Sequence, residues 1–228
     1  MEKVSQFTFC VLVYNHQEYI LEHLESIKFL IEKYGEDVTC NIIINDDCSK
    51  DKSCALVDAW LSDNDNLFGE VVKLYNTSNV GTCTSLVNIA EKIRTKHCKI
   101  TAGDDVYSFH DIFSFVSSYS EYDLLSGIPI RVIDGKVEIS SFEVFNYFAS
   151  DIVYKSASLT DRLINVSVVS APNMFYSTKY LKDVEILNFI SKFDVVEDWP
   201  FQIAISLKNK LPQSLSLFQF HQKPGLIS

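Results

Sequence analysis

Four polar clusters interrupt the apolar runs of this 228-residue chain: Tyr14-Asn15, Asn45-Asp46-Asp47, Asn76 to Asn79, and Gly103-Asp104-Asp105. Each follows an apolar segment with the length of a buried strand. Asp104 and Asp105 are adjacent carboxylates without a basic immediate neighbour. A divalent cation would relieve their repulsion, and the competing reading is a solvated turn. Asp46-Asp47 reads equally as turn residues ahead of a helix capped by Ser49. Asn79 and Gly81 stand where a third helix should open, either offering N–H groups to a phosphate or forming a plain turn.

These clusters need a scaffold, and the apolar pattern supplies one. Phe7 to Tyr14 has the near-continuous apolar character of a strand buried on both faces. Ile20, Leu24, Ile27, Ile31 and Tyr34 recur at helical spacing, with Asn15 and Glu18 as a capping box and Gly35 as the stop. Val38 to Ile44, a helix from Ser49 to Leu61, Glu70 to Tyr75, a helix from Thr82 to Arg94, and Cys98 to Thr101 continue the alternation. Strands alternating with helices imply an α/β fold with a parallel sheet, so all four clusters fall at carboxyl ends of strands, where such sheets bind ligands. Beyond Asp105 the pattern becomes mixed α/β. A helix near Phe109 to Ser118 precedes strands Ile128 to Ile133 and Val137 to Ile139 around an Asp134-Gly135 turn, and Ser141 to Leu163 reads as mostly helical. A helix from Pro200 to Lys208 and a strand from Ser214 to Phe220 follow. No linker, repeat or low-complexity tract divides the chain, which predicts one domain over 1–228 with a ligand-binding half, 1–105, and a second half, 106–228.

Composition excludes several functions. Thirty acidic residues against twenty basic give a formal charge of -10, and no basic run could neutralise a row of phosphates, so nucleic acid is a poor partner. A phosphorylated ligand would then need a divalent metal, backbone N–H groups or a few placed cations. Seven glycines, none two apart, leave no G-x-G-x-x-G, P-loop or G-x-S-x-G. The six cysteines form no C-x-x-C, which predicts free thiols in a reducing cytoplasm. Leu163 to Thr178 is the longest uncharged candidate for a membrane span, but its 16 residues include Asn165, Pro172 and Asn173.

In order and spacing these motifs resemble the inverting family 2 glycosyltransferases, whose fold is the nucleotide-sugar-binding, Rossmann-like GT-A domain. Val11-Leu12-Val13-Tyr14-Asn15, Asn45-Asp46-Asp47-Cys48-Ser49, Asn79-Val80-Gly81 with Asn88, and Ala102-Gly103-Asp104-Asp105 match its first four motifs. Ser170-Ala171-Pro172-Asn173 with Phe175-Tyr176, Glu197-Asp198-Trp199-Pro200, and Phe220-His221 are similar to its acceptor-side, E-D and C-terminal His segments. Leu12 stands where relatives often carry Pro or Thr, and Cys48 where Gly is usual.

The resemblance implies a mostly parallel sheet flanked by helices, with a mixed α/β acceptor half. It places Leu12, Tyr14, Asp47, Asn79, Gly81 and Asp104 on the donor side. Tyr14 and Asp47 would contact the base, a uracil N–H if the donor is UDP-linked, and Asp104 the sugar or ribose. Asp105 would bind Mn²⁺ or Mg²⁺, with His221 a further ligand or simply a packed histidine. Pro172, Asn173, Glu197 and Trp199 would lie near the acceptor. Asp198 would take the proton from the acceptor hydroxyl, Glu197 being the competing base, and Asp198 also suits an N-cap before Pro200. The implied partners are a nucleotide-sugar donor and a glycan or lipid-linked saccharide of a bacterial surface or capsular polysaccharide, with the protein cytoplasmic or peripheral at the inner membrane face. Two alternatives stay open: a catalytically silent partner of another glycosyltransferase, and a sugar nucleotidyltransferase. The latter would need a basic, Gly-rich loop where Asn15-His16-Gln17-Glu18 stands.

Overall fold

The computed structural model describes residues 3–118, 124–128, 131–133, 136–138, 141–166, 174–208, 217–219 and 224–225. The chain runs β1 (Gln6–Val13), α1 (Ile20–Tyr34), β2 (Thr39–Asp46), α2 (Ser53–Asp63), β3 (Glu70–Tyr75), α3 (Thr82–Lys92) and β4 (Cys98–Ala102). Then follow α4 (Ile112–Ser118), β5 (Leu124–Ile128), β6 (Arg131–Ile133), β7 (Lys136–Glu138), α5 (Ser141–Val153), α6 (Leu159–Asn165) and β8 (Met174–Tyr176). The last elements are α7 (Thr178–Leu181), α8 (Val184–Ile190), α9 (Asp198–Lys208), β9 (Leu217–Gln219) and β10 (Pro224–Gly225).

Four parallel strands form the central sheet in the order β3-β2-β1-β4. Alternation along β1 explains why it is apolar throughout. Phe7, Phe9, Val11 and Val13 enter one core with Ile20, Leu24 and Ile27 of α1 and Phe113 of α4. Cys10 and Leu12 enter the opposite core with Leu86 and Ile89 of α3 and Phe201 and Ile205 of α9. Each of these large side chains withdrawn from water contributes about 1.5–3 kcal/mol, so both faces of the sheet are anchored by β1.

The order also locates the site. From β1 the chain steps outward to β2 and β3, then returns to lay β4 on the other side of β1, which puts a topological switch point between β1 and β4. Hydrogen bonding persists just past the strand ends: Asp47 N donates to Val13 O (2.9 Å), Gly103 N to Leu12 O (2.8 Å) and Asn76 N to Asp46 O (2.9 Å). The polar clusters are thereby held level along one edge.

The structure corrects several expected boundaries. No side chain caps α1. Asn15, at φ 56°, instead donates its N–H to Ser49 Oγ, while its Oδ1 accepts from Lys50 N, both at 2.8 Å. Ser49 is spent on that link, so α2 opens only at Ser53, whose N–H and hydroxyl donate to Asp51 Oδ1. The run predicted as one strand over 128–133 divides into β5 and β6, which join different sheets. β6 and β7 do pair antiparallel, with Ile133 opposite Lys136. β5 lies between antiparallel β8 and parallel β9.

Candidate functional site

A cleft of about 380 Å³ opens along the carboxyl edge of the sheet, lined by Leu12, Tyr14, Asn45, Asp47, Gly81 and Glu197 among others. Leu12 and Tyr14 come from the end of β1, and Asn45 and Asp47 from the end of β2. Gly81 precedes α3, and Glu197 lies just before α9. Tyr14 is 44% exposed where it lines the cleft. Asn79 also lines this cleft. The residues expected on the donor side therefore converge, Asp104 standing just beyond Ala102 at the cleft wall.

Asp47 organises the rim of the cleft. It is 6% exposed, and its Oδ1 accepts from Asn76 Nδ2 (3.0 Å) and Val80 N (2.8 Å), while Oδ2 accepts from Gly81 N (2.8 Å). The Val80 and Gly81 N–H groups are thus committed to a carboxylate, so the phosphate-binding alternative at this helix start gives way to a carboxylate-pinned turn. Gly81 is required there. Its φ is 84°, and a Cβ would fall 2.2 Å from the carbonyl oxygen of Asp194.

That close approach seats the 194–197 segment over α3, where Cys83 Sγ also contacts Val195 O at 3.5 Å. Val196 sits at φ 63°, a conformation that a β-branched residue adopts only when its surroundings impose it. Glu197 follows directly and faces the cleft. Burial, then the negative charge of Asp198, hold its carboxyl above the ordinary range, against an opposing backbone N–H. Asp198 is the first residue of α9 rather than its N-cap, and its Oδ1 accepts from Trp199 N at 2.8 Å, the adjacent N–H and not the second or third that a cap takes. Trp199 Nε1 donates to Leu163 O at 2.5 Å, tying α9 to α6 rather than entering the cleft.

On the other side of β1, Asp105 is buried and its backbone carbonyl accepts from His23 Nδ1 of α1. Lys99 of β4 lies within electrostatic reach of Asp105, yet burial lowers its ammonium to about 7. His16 lines the cleft and places Nε2 3.9 Å from Asp104 Oδ1. His16 and Asn45 escape a reading by motif, because one simply follows the Tyr14-Asn15 pair and the other resembles an ordinary strand-end residue. Pro172, Asn173 and His221 lie outside the described residues.

Among the described residues no group of three or more His, Cys, Asp or Glu side chains could hold a metal ion unaided. The donor set nevertheless suits Mg²⁺ or Mn²⁺ bound together with a substrate. Such hard cations take one or two carboxylates and complete their shell with phosphate oxygens and water; Asp104 stands next to the cleft-lining His16, while Asp105 is buried and is not among the residues lining the cleft.

A parallel 3-2-1-4 sheet flanked by helices, with an acidic turn after β4 and a cleft along its carboxyl edge, is the architecture of an α/β domain of the GT-A, Rossmann-like type. The chain belongs to glycosyl transferase family 2, whose model matches residues 8–185. Solved structures bear out the fold. S. aureus TarS 1-349 in complex with UDP superposes with a TM-score of 0.65 at 20% identity, covering 95% of this chain and 60% of that one. Its complex with UDP-GlcNAc gives 0.64 at 20% identity, covering 95% and 58%. S. aureus TarS itself gives 0.64 at 17% identity, covering 96% and 36%. The chain thus spans at most about 60% of these relatives. Among curated proteins none matches it. No helix of the described residues is long and apolar enough to cross a membrane.

Proposed function

We propose that this chain is a metal-dependent inverting glycosyltransferase that moves a sugar from a nucleotide-diphosphate donor, UDP-linked, to a hydroxyl of a glycan or lipid-linked saccharide in surface polysaccharide synthesis. The observation that carries this reading is a single cleft bounded by Tyr14 and Asp47 at one end and Glu197 at the other, with the Asp104-Asp105 turn beside it. Family membership supports sugar transfer, and the TarS complexes with UDP and UDP-GlcNAc support the choice of nucleotide.

In this mechanism the exposed ring of Tyr14 stacks on the base and Asp47 accepts its N–H. Asp104 accepts hydroxyls of the ribose or donor sugar. Asp105, assisted by Asp104, would hold Mn²⁺ or Mg²⁺, and the cation when bound would supply positive charge to the diphosphate. Asp198 accepts the acceptor's hydroxyl proton as that oxygen bonds to the anomeric carbon. The bond from that carbon to the diphosphate oxygen breaks, its electron pair leaving with the nucleoside diphosphate. A single displacement of this kind inverts the anomeric centre.

Glu197 carries a second reading of the base, favoured by its place in the cleft lining and its raised pKa. The test is turnover of a labelled UDP-sugar with Mn²⁺ by the wild type, Asp105→Ala, Asp198→Asn and Glu197→Gln. Loss of turnover in Asp105→Ala and Asp198→Asn is expected, and full transfer by Asp198→Asn moves the base to Glu197. The absence of turnover by the wild type with every donor would favour a silent, partner-binding role.

A further inference from the structure

Asn45 is wholly buried, with 0% exposure, and neither its Oδ1 nor its Nδ2 has a hydrogen-bond partner. It lines the cleft at the end of β2, level with Leu12 of β1 and two residues before Asp47. Ser85 of α3, 1% exposed, lines the same cleft with an equally unpartnered Oγ. Leaving both atoms of a buried amide unmade is costly, and a leucine of similar size would fill the strand end without that penalty. Such groups are retained where a ligand completes them.

The neighbouring carboxylate narrows the ligand. A carboxylate offers about four acceptor positions, and protein donors occupy three on Asp47, two on Oδ1 and one on Oδ2. The position left on Oδ2 accepts only, whereas Asn45 can donate through Nδ2. An acceptor beside a donor complements a base edge that carries an N–H next to a carbonyl. Uracil has that edge, and guanine shares it. Cytosine and adenine, whose corresponding ring nitrogens are acceptors, do not.

We propose that Asn45 is a specificity-determining residue that reads the nucleobase, its amide N–H donating to the base carbonyl adjacent to the N–H that Asp47 accepts. This rests on the nucleotide-donor reading and deepens it. In that reading Asp47 alone would not distinguish the base, because its one remaining acceptor position could equally take the exocyclic amino N–H of cytosine or adenine. Ser85 supplies a further unpartnered polar group in the lining of the same cleft.

The test is calorimetric titration of UDP, CDP, GDP and ADP into the wild type, Asn45→Leu and Asn45→Ala, together with the melting temperature of each free protein. UDP should bind the wild type more tightly than CDP or ADP. Asn45→Leu should weaken UDP about tenfold while leaving CDP unchanged, and should raise the melting temperature of the free protein. Asn45→Ala, which keeps room for water, should show the same loss of preference if the leucine variant misfolds. UDP bound equally by all three proteins overturns the assignment of Asn45 and leaves the donor reading standing. No binding of any nucleotide by the wild type overturns both.

Discussion

The carboxylate of Asp47 accepts the backbone N–H of Gly81 at 2.8 Å, and so joins the end of β2 to the start of α3. Asp47 is therefore a structural strut as well as a donor-side residue, and the two roles separate experimentally. Asp47→Asn keeps one acceptor oxygen and turns an NH₂ group toward a backbone N–H. Urea denaturation should show a loss of about 2–3 kcal/mol even without nucleotide. A residue that only touched the base would leave the stability of the free protein unchanged.

Gly81→Ala forces a Cβ against the Asp194 carbonyl at a backbone angle that disfavours side chains. The expected loss is about 1–3 kcal/mol in thermal or urea denaturation. Because the 194–197 segment must shift, turnover should fall more than the melting temperature alone predicts, which is read by measuring kcat at a temperature where both proteins are folded.

Glu197 and Asp198 should differ in kinetics. Asp198→Asn is expected to lower kcat by about 10²–10⁴ with little change in donor KM, the pattern of a lost general base. Glu197→Gln should act mainly on acceptor KM. The reverse assignment of these effects would place the base on Glu197.

His23 gives a pH dependence of stability. Burial holds its imidazole at about 4, despite the bond to the Asp105 carbonyl, whereas the unfolded chain titrates near the usual value of about 6.5. As pH falls below about 6.5 the unfolded state takes up the proton first. Stability is therefore undiminished above that pH and declines toward pH 4, by roughly 3 kcal/mol in all. Urea titrations at pH 7 and 4.5 should show this decline, and His23→Gln should lessen it.

The apolar runs made the central sheet and α1 legible, since Phe7 to Val13 and Ile20 to Tyr34 owe their form to periodicity that tertiary context only reinforces. The start of α2 was not legible, because Ser49 is drawn to Asn15, thirty-four residues away, and Cys48 turns through φ 66° where glycine is usual. α8 was also missed. It has only seven residues, and its N-cap, Asp183, reads as one more surface carboxylate until its side chain is seen accepting from Glu185 and Ile186. At the site, strand ends announced Tyr14, Asp47 and Asp104. The significance of Asn45 depends on its having no partner, a property of packing that spacing does not carry.

The most direct measurement is the melting temperature of the wild-type chain with UDP, in the presence and absence of Mn²⁺. Saturating UDP with Mn²⁺ should raise it by about 5–10 °C, and Asp105→Ala should abolish the part that depends on the cation. If neither UDP nor GDP, CDP or ADP shifts the transition, with or without Mn²⁺, the cleft between β1, β2 and α3 is not a nucleotide-donor site and the account is wrong.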